Sequence, residues 1–312
     1  MSTDTASPRR PAWPLRMWNG LRRNPIIYKE FRSRMRQRRA LWFIILPLLG
    51  AAGLIILVSL TVLQESNAAD FESRRQVGQA VFIVIIGIQA TLAMLVAPSI
   101  SAGALASEHE HQTYDLLRVT LLSARSLVWG KFVASAAFII FLMLLQVPLL
   151  AITFLFGGIE PAEILVHTSV NLASVLYFCS LGVFISSLNR RSLPATIGAY
   201  VFAGMLSVFL PIMLLLVGTL VFGAFDSANL PPLMEALMMA GALLLVALSP
   251  AGTMLTSEIF LQDGDLWYTT TTLSNGVTLY SPTPWVVFLV LSSLLTLFFL
   301  GLTVRRVRKK DK

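Results

Sequence analysis

The sequence predicts an all-α integral membrane protein. Six helices span the bilayer, an amphipathic interfacial helix precedes them, and a re-entrant or outer-surface helix sits between spans five and six. Three observations carry this expectation. First, 56% of the 312 residues are hydrophobic and only 13% are charged, about half the charge of an ordinary soluble domain. Second, the charged residues leave seven uncharged runs: 40–64, 76–107, 132–159, 164–189, 192–225, 236–257 and 266–304. Each exceeds the about 20 residues a helix needs to cross a ~30 Å hydrocarbon core. Third, the basic side chains cluster at a few places, which decides which runs can span. Continuous runs exclude a transmembrane β-barrel, whose strands alternate. One cysteine, Cys179, excludes a disulfide framework and a multi-thiolate metal site within the chain.

Parity reduces seven runs to six. The first forty residues hold ten arginines and Lys29 against Asp4 and Glu30, and the sequence ends Arg305-Arg306-Val307-Arg308-Lys309-Lys310-Asp311-Lys312. Segments rich in Lys and Arg stay cytoplasmic, so both ends are expected inside and the span count even. The run 236–257 is the one to fail. It is interrupted at Ser249-Pro250-Ala251-Gly252, and proline removes a helical donor and clashes with the preceding turn. What remains, about 233–248, is short for a span and belongs at membrane depth only where protein covers its ends. Spans are then expected at about 41–63, 77–105, 132–156, 164–188, 193–224 and 285–304. This topology puts 22 basic and 6 acidic residues inside, and 2 basic and 10 acidic residues outside. The two sides carry +16 and −8, which recover the formal net charge of +8.

Outside the spans, residues 1–23 form a loose basic segment with no secretory signal peptide in view. Asn24-Pro25 then reads as a cap followed by proline at the first helical position. Over 24–40, Ile27, Phe31 and Met35 recur every four residues, as in an amphipathic helix on the inner leaflet with its arginines among lipid phosphates. The largest inner loop, 107–131, is the one acidic cluster on a basic face. Its leucines (Leu116, Leu117, Leu121, Leu122) suggest a short helix that docks to a partner protein. Residues 226–284 form an external loop with the broken helix, and 305–312 a basic cytoplasmic tail.

These two inner segments carry a resemblance. Asn24 to Arg36, reading NPIIYKEFRSRMR, resembles the entry of ABC-2 type transporter permeases, an NP pair followed by hydrophobic-KE-hydrophobic-RxR. Glu108 to Leu117, with Gly130-Lys131 ahead of the next span, is similar to that family's E-x-E-x-G-T-x-E-x-L-L…G-K loop. Gln112 stands where the family usually has glycine, and Leu121 where a Thr-Pro pair is common. The resemblance implies a membrane subunit of an ATP-driven exporter. In it Pro25, Tyr28, Lys29, Glu30, Phe31, Arg32 and Arg34 would belong to a connecting helix. Glu108, Glu110, Thr113, Tyr114 and Asp115 would contact a separate ABC ATPase, with Leu116 and Leu117 as anchors. It also implies a second permease copy, identical or related, in the plasma membrane (the inner membrane of a bacterium), among membrane lipids. ATP and magnesium would bind the partner, since no G-x-x-x-x-G-K-[ST] occurs here. No cofactor of the chain's own and no nucleic-acid partner is expected.

Other readings stand beside these. Glu108-His109-Glu110-His111 has histidines two apart, whereas sharing a metal on a helix face needs four. His167 fits either a proton-linked switch or a satisfied bundle histidine. Met234, Met238, Met239 and Met254 fit copper or apolar filling. Gln89, Gln146 and Asn171 are candidate pathway residues, with interhelical hydrogen bonding as the alternative. No span carries a mid-membrane Asp, Glu, Lys or Arg, which favours an external energy source. A scaffold that binds an ATPase without transport is the main rival. An intramembrane enzyme is the other, though no nucleophile and base constellation is visible.

Overall fold

The computed structural model describes residues 25–36, 38–65, 71–112, 123–156, 159–210, 212–213, 216, 232–262, 264, 266–272 and 278–310. Helix α1 (Pro25–Met35) leads into α2 (Arg38–Glu65). Next come α3 (Phe71–Thr91), a π-turn at Leu92–Val96, and α4 (Ala97–Glu110), forming one long rod. After the loop follow α5 (Ala124–Leu144), α6 (Val147–Phe156), α7 (Pro161–Leu188) and α8 (Ser192–Gly204), the last running into a second π-turn at Met205–Phe209. The chain closes with α9 (Pro232–Val246), α10 (Pro250–Gln262), strands β1 (Tyr268–Thr272) and β2 (Thr278–Pro282), and α11 (Pro284–Lys310).

Proline sets much of this punctuation. Helices α1, α7, α9, α10 and α11 each open on one, where the missing N–H would have had no partner anyway. Pro98, near the start of α4, denies the preceding turn its donor, and the backbone widens to the π-turn at Leu92–Val96. Pro148 divides the third span. Its two helices meet at Leu145-Gln146, where the Gln146 amide donates to the Met143 carbonyl (3.0 Å). That span starts at Ala124 rather than near residue 132, so Lys131 lies two turns inside a helix.

Among the described residues five helices are long and apolar enough to cross a membrane: 75–110, 124–151, 161–188, 192–209 and 284–309. Helix α2 is 28 residues long, and its described apolar stretch is Leu41–Leu57. The expected all-α membrane architecture is therefore what the chain adopts, with two adjustments to its elements. Helix α11 carries the basic tail on to Lys310 as helix. The threonine-rich stretch before it folds as an antiparallel hairpin, Tyr268 opposite Pro282 and Thr272 opposite Thr278, because β-branched side chains suit a pleated surface. Trp285 anchors this hairpin through Nε1–H to the Leu266 carbonyl (2.8 Å).

Two apolar cores divide the bundle. One, at the basic end, gathers Leu105, Leu127, Phe132, Phe178, Ala195, Leu300 and Val307. The other, at the acidic end, gathers Val77, Phe82, Val166, Met254, Trp285 and Phe288. Helix α7 runs through both, packed along α4 and α11. It is the most enclosed span, and Gly182 is what lets α4 approach. A Cβ at Gly182 would lie 1.9 Å from Ser101 Oγ and 3.1 Å from the Ala102 amide nitrogen. Close by, Ser186 Oγ accepts from the Leu105 and Ala106 amides (2.9 and 2.8 Å). Small and hydroxyl side chains hold helices together where hydrocarbon supplies no hydrophobic drive.

The broken pair α9–α10 bends by 120° at Ser249. Its turn satisfies its own polar groups, since Ser249 Oγ accepts from the Gly252 amide and Thr253 Oγ1 donates to the Ser249 carbonyl. Ser249 Oγ–H also donates to the Ser207 carbonyl in the π-turn after α8 (3.4 Å). Helix α10 lies against α7 and α11, and Glu258 Oε2 meets His167 Nε2 at 2.8 Å. His167 is buried, edge-on to Phe82. Met254 packs in the acidic-end core, as apolar filling.

Replacing Gly182 with alanine is expected to destabilise the protein by about 1–3 kcal/mol through overpacking of α4 on α7. Gly103→Ala, where a Cβ meets nothing within 4 Å, is expected to leave stability unchanged or raise it by up to about 1 kcal/mol. Thermal denaturation in detergent micelles compares the two.

Candidate functional site

The flanks of the loop between α4 and α5 carry the strongest concentration of paired charge. Glu30 sits on the inward face of α1, with Phe31 one residue on packed edge-on against Phe141 of α5 (6.2 Å). Arg34, one turn later, donates from Nη2 to Glu30 Oε2 (3.1 Å). Lys131, only 3% exposed, donates to Glu30 Oε1 and to Glu108 Oε1, the latter at 2.7 Å. The result is a ladder, Arg34–Glu30–Lys131–Glu108, that joins α1, α5 and the last turn of α4. Two acids and two bases cancel. Such a set is tolerated inside the protein only because every charge has a partner, since one isolated buried ion costs several kcal/mol.

Glu110 makes a second joint. Its Oε2 accepts from the Ser192 backbone N–H (3.0 Å) and from the Ser192 hydroxyl. A carboxylate is thereby placed at the first turn of α8, where unpaired amides and the helix dipole favour negative charge. Helix α4 ends on this residue. His111 follows, and Gln112 takes φ 58°, the left-handed conformation that commonly terminates a helix. This is the physical reason for a glycine at that position, and here a glutamine meets the demand.

The expected site residues therefore divide. Glu108 and Glu110 lie on α4 rather than on a loop helix, and both bond within the chain. Thr113, Tyr114, Asp115, Leu116 and Leu117 fall outside the described residues. On α1, Pro25 opens the helix, Tyr28, Lys29 and Arg32 are exposed, and Glu30, Phe31 and Arg34 turn inward. Arg34 thus faces the ladder. Gln89, Gln146 and Asn171 are all buried inside the one chain. Asn171 Nδ2 donates to Gln89 Oε1 at 3.4 Å, an interhelical bond, while the Gln146 side-chain amide has no partner among the described residues.

Sequence reasoning quoted Lys131 only as the end of the Gly130-Lys131 motif and gave it no role, and it missed Ser192. Lys131 had a signal, since it borders a long apolar run directly after Gly130. Reading it as a membrane-edge charge concealed its burial. Ser192 had none beyond opening a helix after Arg190-Arg191. Among the described residues no group of three or more His, Cys, Asp and Glu side chains converges as a metal site.

Lys131→Met leaves Glu30 and Glu108 without their shared cation and is expected to cost about 3–5 kcal/mol. The triple change Lys131→Met, Glu30→Gln, Glu108→Gln is expected to recover most of that loss, because it removes the unpaired charges as well. Thermal unfolding of the purified variants reads both.

A comparison with curated proteins found no match. A family model described as ABC-2 family transporter protein matches residues 24–307, from the asparagine ahead of α1 almost to the end of α11. That span includes the ladder, the Glu110 cap and the broken pair α9–α10. The chain belongs to the ABC-2 family of transporter proteins, as a multi-pass permease of the membrane.

Proposed function

We infer that this permease is driven by a separate ATP-hydrolysing subunit and exports its cargo, as one of two paired membrane subunits. The observation that supports this reading is the ladder's position. It brackets the segment 111–123 with α1, α4 and α5, and Glu110 adds α8. A force applied to that segment reaches four helices through charged contacts that resist sliding, so the spans would tilt as bodies. The lack of a G-x-x-x-x-G-K-[ST] loop in this sequence supports an energy source in another chain. Thr113, Tyr114 and Asp115 would meet the ATPase, with Leu116 and Leu117 as anchors. Glu108 and Glu110 would brace the segment from within. ATP and magnesium would reside in the partner. Six spans, both termini cytoplasmic and a bacterial inner membrane complete the proposal. The rival scaffold would also bind an ATPase, but its ladder would have no part in hydrolysis.

Co-expression with a candidate ATPase carrying G-x-x-x-x-G-K-[ST], followed by reconstitution in vesicles, tests this. The double change Leu116→Asp, Leu117→Asp is expected to abolish ATPase co-purification. Lys131→Met is expected to keep the ATPase bound while uncoupling its hydrolysis from the permease. Retention of full binding and activity by the double variant would overturn the docking assignment, and unaltered hydrolysis in Lys131→Met would favour the scaffold.

A further inference from the structure

A cavity of about 560 Å³ opens beside the ladder, between α1, α2, α4 and α5. Its lining has two characters. Arg34, Lys131 and His111 face it together with Glu30 and Glu108, while Phe43 of α2 and Phe138 of α5 supply apolar wall. The ladder uses little of Arg34. A guanidinium carries five N–H donors in a planar fork. One bond goes to Glu30, and the enclosed Nη1 has no partner among the described residues. A buried donor without a partner needs an explanation.

The surroundings narrow the choice of ligand. Trp42, next to Phe43, is exposed, and tryptophan prefers the level where hydrocarbon meets headgroups. Leu46 and Leu49 on the same helix are 68% and 66% exposed, as lipid-facing side chains are. The cavity thus lies at headgroup depth with acyl chains along one of its walls. Arg34 offers bidentate geometry to a phosphate. The four ladder charges already cancel, so a bare anion would stay uncompensated, whereas a zwitterionic group adds no net charge. Its ammonium would sit beside the carboxylates of Glu30 and Glu108, which line the cavity.

We propose that this cavity is a binding site for a zwitterionic phospholipid, with the phosphate on Arg34 and His111, the ammonium beside Glu30 and Glu108, and acyl chains against Phe43 and Phe138. The proposal requires only that the chain spans a membrane, so it stands or falls apart from the ATPase reading. The bound lipid would fill the space between α1 and the spans, joining the interfacial helix to the bundle.

Gly103 provides a clean test. It lines the cavity on α4, and a Cβ there meets nothing within 4 Å, so Gly103→Leu puts a bulky group into the space without touching the ladder. The full chain, purified in detergent, is titrated with phosphatidylethanolamine, phosphatidylglycerol or inorganic phosphate, and bound lipid is counted by native mass spectrometry. Wild type is expected to retain one phosphatidylethanolamine, and Gly103→Leu to hold it at least about tenfold more weakly, the effect of denying a charge-assisted hydrogen bond. Matching thermal midpoints of the two lipid-free proteins establish that the variant is folded. Arg34→Gln, scored the same way, is expected to weaken retention too. Equal retention by wild type and Gly103→Leu would mean annular lipid only and overturn the site. Preference for phosphatidylglycerol would overturn the zwitterion. Displacement of the lipid by inorganic phosphate would reassign the cavity to a free anion.

Discussion

Everything at the basic end of the molecule depends on Lys131 keeping both of its carboxylates. A lysine two turns inside a membrane helix is tolerable only when its charge is answered, and here Glu30 and Glu108 answer it from two other helices. The arrangement contributes little net stability, because desolvation offsets most of the attraction. Its value lies in geometry. An apolar contact between helices can slide by a fraction of a turn at small cost, but a buried ion pair that slides leaves unpaired charges. Helix α1, the end of α4 and the start of α5 are consequently locked in register.

The acidic end is built on a different principle. There the contacts among the described residues are mostly apolar, and the polar ones include the His167–Glu258 bond and the Trp285 anchor. Between the two ends, backbone regularity is interrupted in three places among the described residues: the π-turn in the second span, the Gln146 break in the third and the π-turn after α8. Such irregular backbone survives in a membrane only where protein surrounds it. The buried Gln89 and Gln146 lie at or near two of these interruptions in sequence, and Asn171 reaches Gln89 from α7.

Much of this was legible in the sequence. Uncharged length marked the long apolar helices, and proline at Ser249-Pro250 marked the broken pair. Helix ends were less legible. Ser107–Glu110 and Ala124–Lys131 read as loop because they carry charge, yet long-range pairing lets them continue as helix. The hairpin 268–282 was hidden for another reason, since hydroxyl-rich composition marks a break from helix but not the form that replaces it. At the site, residue types were readable and partners were not. Glu108 and Glu110 fit a docking surface by composition, and only the fold reveals that Lys131 and Ser192 engage them. Lys131 sits 101 positions from Glu30, a separation at which sequence pattern carries no signal.

The broken pair has a consequence for how the molecule is made. Helices α9 and α10 are each too short to span hydrocarbon, and helix ends at membrane depth hold only where protein covers them. Part of that protein is α11, which leaves the ribosome after them. The pair therefore cannot take its seat when it is synthesised. It waits until the last helix has entered the membrane, so assembly of this bundle finishes out of chain order, with its C-terminal helix closing over an element made earlier.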